Sequence, residues 1–251
     1  MEETIIVLSI LIVLLIAYII VFQLRLPKVI QKERSKACDE LFSLMLSGGY
    51  AKRVEDFKVY NKQVKSGGIV FVGDSLTENY NVYEFYKGYN VYNRGIGGDT
   101  TLGLLNRMKE SIYDLSPNVV ILLIGINDFQ LVENSSVDTI YENINKIIDL
   151  IKLNCPNCKI ILQSLYPISK EDNPKIDKLS VGIKNNEDIL TLNKKLKTIE
   201  GVNYLDINSA LQDENGNFKL EYTVEGLHAN THGYSLITSL IKEELNKLGD
   251  Y

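Results

Sequence analysis

The chain is poor in cysteine and histidine, and both shortages restrict its chemistry. Three cysteines in 251 residues, Cys38, Cys155 and Cys158, are too few for a disulfide framework. The only two histidines are His228 and His232. A structural zinc site needs four well-placed ligands, and these cysteines and histidines are too few and too scattered to supply them. The sequence therefore predicts no metal site.

Positive charge is not in excess either. The 27 lysines and arginines are outnumbered by 32 aspartates and glutamates, which gives a net charge of −5. A nucleic-acid partner normally requires a clustered basic face, so none is expected. Internal repeats and low-complexity tracts are also missing, and the 45% hydrophobic and 24% charged residues are typical of a globular domain. The length suits one core of ordinary size with an appendage.

A long apolar run stands near the N-terminus. Residues 5–22 are almost all isoleucine, leucine and valine, and as a helix they would span about 27 Å, close to the hydrocarbon thickness of a bilayer. A cleaved signal peptide would begin with basic residues and end at small ones, whereas this run follows Met1-Glu2-Glu3 and has no Ala-x-Ala pattern. We predict an uncleaved transmembrane anchor over residues 1–24, with a buried soluble helix as the alternative.

The charges beside this run bear on its orientation. Five basic residues follow it closely, and none precedes it: Arg25, Lys28, Lys32, Arg34 and Lys36. The positive-inside rule therefore predicts a single-pass membrane protein with a cytoplasmic C-terminal domain, although large domains can cross a membrane regardless of charge. Residues 25–66 have the pattern of a polar, partly helical connector, and Ser66-Gly67-Gly68 marks its end.

From residue 69 the chain alternates between strand-like and helix-like segments. The predicted strands are 69–73, 89–93, 119–124, 159–165 and 202–205. Predicted helices cover about 100–113, 136–153, 186–199 and 233–248. Such alternation predicts an α/β domain over residues 67–251, with helices on both faces of a parallel sheet in a three-layer α/β/α arrangement.

A serine stands at the end of the first predicted strand. The apolar run 69–72 leads into Gly73-Asp74-Ser75, and open α/β sheets place their chemistry at the carboxyl ends of their strands. A serine hydroxyl is a poor nucleophile unless a base takes its proton, and His228 and His232 are the available histidines. The pattern Gly-x-Ser-x-Gly is missing around Ser75, which argues against an α/β-hydrolase elbow.

Three further blocks of polar residues and glycines follow in order. They are Asn93-Arg94-Gly95-Ile96-Gly97-Gly98-Asp99-Thr100, Gly125-Ile126-Asn127-Asp128 and Val224-Glu225-Gly226-Leu227-His228. Together with Gly73-Asp74-Ser75 they resemble the blocks of the SGNH, or GDSL, hydrolase superfamily. The resemblance extends from residue 69 to about residue 240. It implies a flavodoxin-like domain that hydrolyses acyl esters without a metal or an organic cofactor.

The resemblance also implies roles for individual residues. Ser75 matches the nucleophile, and His228 matches the base that takes its proton and returns it to the leaving alcohol. The backbone N–H groups of Ser75 and Gly98 and the side-chain amide of Asn127 match the oxyanion donors. Gly97 remains an alternative to Gly98, because the conformation of the turn cannot be read from the sequence.

One residue departs from the family pattern. The family usually has an aspartate three residues before the histidine, whereas this chain has Glu225, which is one methylene longer. Three interpretations follow: a functional Ser-Glu-His site, a relaxed triad with a reduced rate, or a histidine oriented by a backbone carbonyl. The first is favoured, because Ser75, Gly98, Asn127 and His228 are all present.

Simpler interpretations fit the remaining candidates. His232 is expected at the cap or in the first turn of the last helix, and Asp74 as a hydrogen-bonding residue beside the nucleophile. Arg94 is expected to be solvated or ion-paired rather than bound to substrate. The segment Cys155-Pro156-Asn157-Cys158 has redox spacing, but it lies between a helix and a strand, so a plain turn is expected.

The expected function is that of a membrane-anchored serine esterase acting through an acyl-enzyme intermediate. The turn at residues 93–100 resembles members that act on short acyl groups, such as platelet-activating-factor acetylhydrolase-like enzymes and carbohydrate O-acetylesterases. A short-chain acyl ester, an O-acetyl sugar or a lysophospholipid is therefore the expected substrate, and residues 5–22 the expected contact with a membrane. An acyltransferase acting on glycans and a non-catalytic SGNH binding module are the alternatives.

Overall fold

The computed structural model describes the backbone of residues 2–249 and all side chains from Ser47 to Gly249. N-terminal to Ser47 it describes only some of the side chains. The chain divides into two compact units, Met1–Gly48 and Gly49–Tyr251. The second unit thus starts within the predicted connector at residues 25–66.

The first unit is helical. Helix α1 runs from Glu2 to Asn61, and its part up to residue 48 makes up this unit. Its described apolar side chains are exposed, among them Leu14, Tyr18 and Leu24 at 61%, 67% and 67%. The predicted anchor at residues 5–22 lies partly outside the described residues. In the part of the chain that is described, no helix has the length and apolar character needed to cross a membrane.

The second unit is built on a five-stranded parallel sheet with the order β2-β1-β3-β4-β5. The strands are β1 (Ile69–Gly73), β2 (Val91–Gly95), β3 (Val119–Leu123), β4 (Lys159–Gln163) and β5 (Asn203–Leu205). Every residue of β1, β2 and β3 is buried, which explains why these strands lack the alternation of a half-exposed sheet. The parallel sheet predicted from the sequence is confirmed.

The second strand lies two residues later than predicted, at 91–95 instead of 89–93. The N–H of Tyr89 donates to the carbonyl of Tyr86, so this residue still belongs to the preceding turn. Pairing with β1 begins at Val91 and continues to Gly95, which lies opposite Gly73. The polar end of this segment, which looked like a loop, is therefore part of the strand.

The helices of the second unit differ widely in length. Long helices are α7 (Val137–Asn154), α9 (Asn186–Leu196) and α11 (Thr231–Leu248). Short ones are α2 (Ser75–Glu78), α3 (Val82–Phe85), α4 (Thr101–Leu105), α5 (Met108–Ser111), α6 (Asp128–Leu131), α8 (Lys178–Val181) and α10 (Asn208–Leu211). Each long helix buries one apolar stripe, as α7 does with isoleucines 140, 144, 147, 148 and 151.

The strand order distributes these helices over both faces of the sheet. The chain moves from β1 to β2 in one direction, and from β2 onward in the other. Because parallel crossovers are right-handed, the connection with α2 and α3 lies on one face, and α4, α7 and α9 lie on the opposite face. Helix α11 shares the first face, since Tyr234 stacks on Tyr80, which contacts Phe71 of β1. The predicted three-layer α/β/α architecture is confirmed.

The single helix predicted over residues 100–113 is wrong. The structure has α4 and α5 there instead, separated at Asn106 and Arg107. Arg107 has a non-helical φ of −125° and turns its guanidinium into the interior, where it is fully buried. The helix is therefore interrupted where the Arg107 side chain turns inward. The helical spacing of the sequence gives no indication of this interruption.

The strand order also fixes where chemistry can occur. Strands β1 and β3 are neighbours, and their helical connections leave toward opposite faces of the sheet. A crevice forms at the carboxyl ends of two such strands, which is where open α/β folds bind ligands. Ser75 follows β1 and Asn127 follows β3, so both residues border this crevice.

Candidate active site

Ser75 is the first residue of α2, directly after β1. Asp74 caps this helix by accepting a hydrogen bond from the N–H of Leu76 at 2.9 Å. The carbonyl of Leu76 accepts a hydrogen bond from the Tyr234 hydroxyl at 2.8 Å. A single short turn is not stable by itself, so these contacts hold the serine in place.

The structure brings Ser75 together with His228 and Glu225, although 153 positions separate the serine from the histidine. Ser75 Oγ lies 2.9 Å from His228 Nε2. On the other side of the ring, His228 Nδ1 contacts Glu225 Oε1. A carboxylate can only accept hydrogen bonds, so Nδ1 carries the ring proton and Nε2 is left to accept the serine proton. This is the arrangement that a serine nucleophile requires.

The loop carrying Glu225 and His228 is held by Thr223, whose role the sequence did not suggest. Its buried hydroxyl donates to the carbonyl of His228 at 2.9 Å and accepts the N–H of Gly226 at 2.8 Å. Glu225 Oε1 also accepts the N–H of His228 at 3.3 Å. The longer glutamate thus folds back onto its own loop while its carboxylate contacts the imidazole. The Glu225 side chain, rather than a backbone carbonyl, is the group beside Nδ1.

The glycine turn after β2 approaches Ser75 closely. A Cβ placed on Gly97 would lie 3.9 Å from the Cβ of Ser75. The N–H of Gly97 donates to Glu78 Oε2 at 2.8 Å and is therefore occupied. Gly98 has a φ of +74°, and within residues 47–249 its N–H has no hydrogen-bond partner. Of the two glycines, Gly98 is the one with a free donor.

Asn127 lies between β3 and α6 and is almost fully buried. One N–H of its side-chain amide donates to the carbonyl of Asp99 at 3.0 Å. A side-chain amide has two N–H donors, so the second one stays available while the first fixes the orientation of the group. The carbonyl of Asp99 thereby links the turn after β2 to the turn after β3.

Asp128 makes a second link between these turns. Its carboxylate accepts the N–H of Thr101 at 3.0 Å and also contacts the Thr101 hydroxyl. Burial raises the pKa of Asp128 to about 6, although the hydrogen bonds from Thr101 oppose this shift. The structure therefore places Asp128 between the two turns, in addition to its position at the start of α6.

Arg107 is the most important residue that the sequence did not reveal. Its guanidinium makes four hydrogen bonds: Nε donates to Asp99 Oδ2 at 2.8 Å, Nη2 donates to Gly73 O at 2.8 Å, and Nη1 donates to Arg94 O and Ser111 Oγ, both at 2.7 Å. Nη2 also lies 2.7 Å from Asp99 Oδ2, so Arg107 and Asp99 form an ion pair. This guanidinium joins the ends of β1 and β2 to the glycine turn. The sequence carries no clear signal for this role, because Arg107 stands in a segment with helical spacing.

Arg94 differs from its expected state. It is only 2% exposed, and within residues 47–249 no carboxylate pairs with it. Its guanidinium lies over the rings of Phe57 and Tyr92, at 4.9 and 5.6 Å, and donates to Asn61 Oδ1 at 2.7 Å. The expectation of a solvated or ion-paired arginine is wrong, because the end of α1 covers it.

Two other candidates lie where expected and outside the site. His232 is an exposed residue in the first turn of α11, and its N–H donates to Asn230 Oδ1 at 2.9 Å. Cys155 and Cys158 are free thiols in a turn between α7 and β4, and the N–H of Cys158 donates to the carbonyl of Cys155. Within the described residues, no cluster of three or more histidine, cysteine or acidic side chains could hold a metal ion.

A cavity of about 740 Å³ opens beside the histidine. His228 and Glu225 form part of its wall, together with further polar and apolar residues: Asn79, Asn81, Glu84, Phe85, Ser180, Val224, Ala229, Asn230, Thr231 and Tyr234. The asparagines at 79 and 81 are exposed and Phe85 is half-buried, so amide groups and an aromatic ring are available to a bound molecule. Ser180 belongs to α8, in the connection between β4 and α9, and this connection therefore contributes to the rim of the cavity.

A family of known proteins shares these sequence blocks with the chain. The profile of the GDSL-like Lipase/Acylhydrolase family matches residues 71–236, which contain Ser75, Gly98, Asn127, Glu225 and His228. The chain belongs to this family. Its members are esterases and lipases, so the protein is a hydrolase that acts on carboxylic ester bonds.

Individual GDSL relatives match most of the second unit. The platelet-activating factor acetylhydrolase IB subunit alpha2 of Rattus norvegicus is 28% identical over 189 residues, which cover 73% of this chain and 78% of the relative. A Streptococcus pneumonia structure described as a platelet activating factor has a TM-score of 0.75 and 27% identity, covering 82% of this chain and 97% of that one. A Bacteroides fragilis structure described as an acylhydrolase has a TM-score of 0.65 and 28% identity, covering 75% and 95%.

The buried Asp74 predicts a pH-dependent stability. Burial is the main cause that raises its pKa from 3.8 to about 7, and its Oδ2 has no hydrogen-bond partner among the described residues. A carboxyl with a raised pKa binds its proton more tightly in the folded state, so its contribution to stability is lost as the pH rises through that pKa. An asparagine side chain at this position would still cap α2. We expect Asp74→Asn to become progressively more stable than wild type between about pH 4 and pH 8.

Urea unfolding at a series of pH values measures this difference in the free energy of unfolding. Asp149→Asn, at an exposed position of α7, is the matched control and should leave the pH dependence unchanged. A difference between Asp74→Asn and wild type that is constant from pH 4 to pH 8 would contradict the assignment.

Proposed function

We propose that the protein is a serine esterase in which Ser75 attacks the carbonyl carbon of an acyl ester. The observation that carries this proposal is the contact of 2.9 Å between Ser75 Oγ and His228 Nε2, with Glu225 behind the imidazole. His228 takes the serine proton as the new C–O bond forms. It then returns the proton to the alkoxide oxygen of the leaving alcohol, which leaves an acyl-enzyme. Water, activated by His228, releases the acid.

Negative charge develops on the carbonyl oxygen during this attack. The free N–H of Gly98, the N–H of Ser75 and the second amide N–H of Asn127 are the donors proposed to stabilise it. Two of these three donors are held by contacts made elsewhere, Asn127 through Asp99 and Ser75 through the capped α2. Donors fixed in advance need no reorganisation, and one such donor contributes about 3 kcal/mol in comparable oxyanion holes.

The leaving alcohol is proposed to occupy the cavity of about 740 Å³ beside His228. His228 must protonate this alcohol, so the alcohol has to lie on the histidine side of the site. The exposed amides of Asn79 and Asn81 and the ring of Phe85 suit a hydroxyl-rich alcohol, such as a sugar. The name of the rat relative, an acetylhydrolase, supports a short acyl group. We therefore propose an O-acylated carbohydrate as substrate, ahead of a lysophospholipid.

Two alternative functions, an acyltransferase and a non-catalytic binding module, can be tested with the same ester substrates. An acyltransferase would admit an acceptor alcohol instead of water, and the size of the cavity beside His228 permits this. Product analysis with an added sugar acceptor distinguishes transfer from hydrolysis. A non-catalytic binding module is disfavoured by the intact contact between Ser75 and His228.

Attachment to a membrane through residues 5–22 is also part of the proposal. Its support is the apolar composition of the run and the exposure of its described side chains, such as Leu8 at 58% and Phe22 at 50%. An apolar surface of this size is normally buried against a partner or in lipid. The composition of the run suits burial in lipid best. The basic residues that follow the run favour a cytoplasmic domain.

The first prediction from the esterase proposal concerns Ser75 and the two histidines. Ser75→Ala and His228→Gln in the full-length protein should each lower kcat for p-nitrophenyl acetate by at least about a thousandfold, because nucleophile and base act as a unit. His232→Gln is the matched control, since it removes the other histidine from an exposed helical position. Its kcat should equal that of wild type. Near-wild-type turnover in Ser75→Ala would disprove the assignment of the nucleophile.

A second prediction separates transition-state contacts from contacts with the leaving group. Asn127→Ala should lower kcat about a hundredfold with little change in KM, because the proposed donor acts on the developing charge. Asn79→Ala should instead raise KM for acetylated oligosaccharides and leave kcat for p-nitrophenyl acetate unchanged. Steady-state kinetics with both substrates provide the measurement. A purely KM effect in Asn127→Ala would indicate that this residue positions the substrate instead.

The membrane proposal is tested by fractionation. The full-length protein should remain in the membrane fraction through high-salt and alkaline washes, because apolar burial in lipid is insensitive to both. A variant lacking residues 1–24 is the control. Recovery of the full-length protein in the wash would argue against the anchor, and digestion by protease added to intact cells would place the domain outside the cytoplasm.

A further inference from the structure

The last turns of α1 belong to the same compact unit as the sheet, and they contact the elements around the site. Phe57 is fully buried. The Tyr50 hydroxyl donates to the carbonyl of Gly103 at 2.7 Å, and the Asn61 amide donates to the carbonyl of Glu110 at the same distance. Residues 49–61 are therefore part of the folded domain rather than a linker that leads to it.

Arg53 of this segment contacts both α2 and the end of β2. Its Nε lies 3.1 Å from Glu78 Oε1, and its Nη2 donates to the carbonyl of Gly95 at 3.3 Å. The second carboxylate oxygen, Glu78 Oε2, accepts the N–H of Gly97 at 2.8 Å. A chain of polar contacts thus leads from α1 through Glu78 to the glycine turn.

Glu78 is well placed to couple two parts of the site. It is the last residue of α2, the helix that Ser75 begins, and it holds the turn that precedes Gly98. The turn also lies against the nucleophile, since a Cβ on Gly97 would lie 3.9 Å from the Ser75 Cβ. The Glu78 carboxylate therefore anchors the residue that directly precedes Gly98.

The electrostatics explain why an arginine is needed at this position. Without a cation, the Glu78 carboxylate would place an uncompensated negative charge near a site where an oxyanion develops. Arg53 supplies the compensating positive charge, with its Nε 3.1 Å from Glu78 Oε1. The side chains of Arg53 and Glu78 are 29% and 32% exposed. Partly exposed ion pairs of this kind contribute little to global stability. The loss of Arg53 should thus affect the turn far more than the fold.

We propose that Arg53 is a positioning residue, which acts through Glu78 to hold the glycine turn so that the Gly98 N–H faces the carbonyl oxygen of the substrate. This role rests on the proposed esterase function. It makes the end of α1 a part of the catalytic apparatus without any contact to substrate. Arg53 acts on the transition state only through the geometry of the turn, so its loss should appear in kcat rather than in KM.

The test compares Arg53→Gln with wild type in the full-length protein, using two independent measurements. In hydrogen–deuterium exchange, the peptide that contains residues 95–100 should exchange at least about tenfold faster in the variant, since the Gly97 N–H loses a fixed acceptor. With p-nitrophenyl acetate, kcat should fall by about tenfold while KM stays within about twofold. Arg53→Lys should restore part of both effects, because an ammonium group can still contact Glu78.

Lys52→Gln is the matched control. It removes the same charge from the neighbouring position of α1, where Lys52 pairs with Asp56 on the exposed surface. Arg53→Gln values equal to those of Lys52→Gln in both measurements would overturn the proposal. So would faster exchange throughout the sheet together with a lower Tm, which would indicate a merely structural role. If the wild type hydrolyses no ester, the proposed function fails, while exchange at residues 95–100 still decides whether Arg53 holds the turn.

Discussion

The Arg107 guanidinium is the interaction on which the geometry of the site depends. Burying a cation costs several kcal/mol unless a counter-charge and hydrogen bonds replace the lost water. Here Asp99 supplies the charge, and the carbonyls of Gly73 and Arg94 accept the remaining donors together with Ser111. The same Asp99 orients the Asn127 amide through its carbonyl, so one buried ion pair links the segments after β1, β2 and β3.

The substitution of glutamate for the usual aspartate is accommodated by the loop rather than by the histidine. Thr223 fixes the backbone on both sides of Gly226, and Glu225 accepts the His228 N–H with the oxygen that also contacts the imidazole. The extra methylene of Glu225 is thus accommodated within residues 225–228. The imidazole can contact a carboxylate whether residue 225 is aspartate or glutamate. This supports a functional Ser-Glu-His site over a decayed one.

Much of this arrangement can be derived from the sequence, because strands buried on both faces appear as apolar runs and parallel strands deliver their carboxyl ends to one edge. Ser75 is placed on these grounds, and the resemblance to GDSL blocks adds Gly98, Asn127 and His228. Side chains that turn inward to satisfy backbone groups cannot be derived in this way. Arg107 lies within an apparently helical segment, and its partners are distant in sequence. Arg94 looked like a surface residue, since nothing in its own segment indicates that Phe57 covers it.

The order of these groups along the chain has a consequence for biosynthesis. Ser75 emerges from the ribosome early, whereas His228 follows all five strands. Until His228 has been synthesised and α11 has docked against Tyr80, the nascent chain holds a serine without a base. An incompletely translated or truncated polypeptide therefore lacks the proposed base of the site, even when all five strands of its sheet are present.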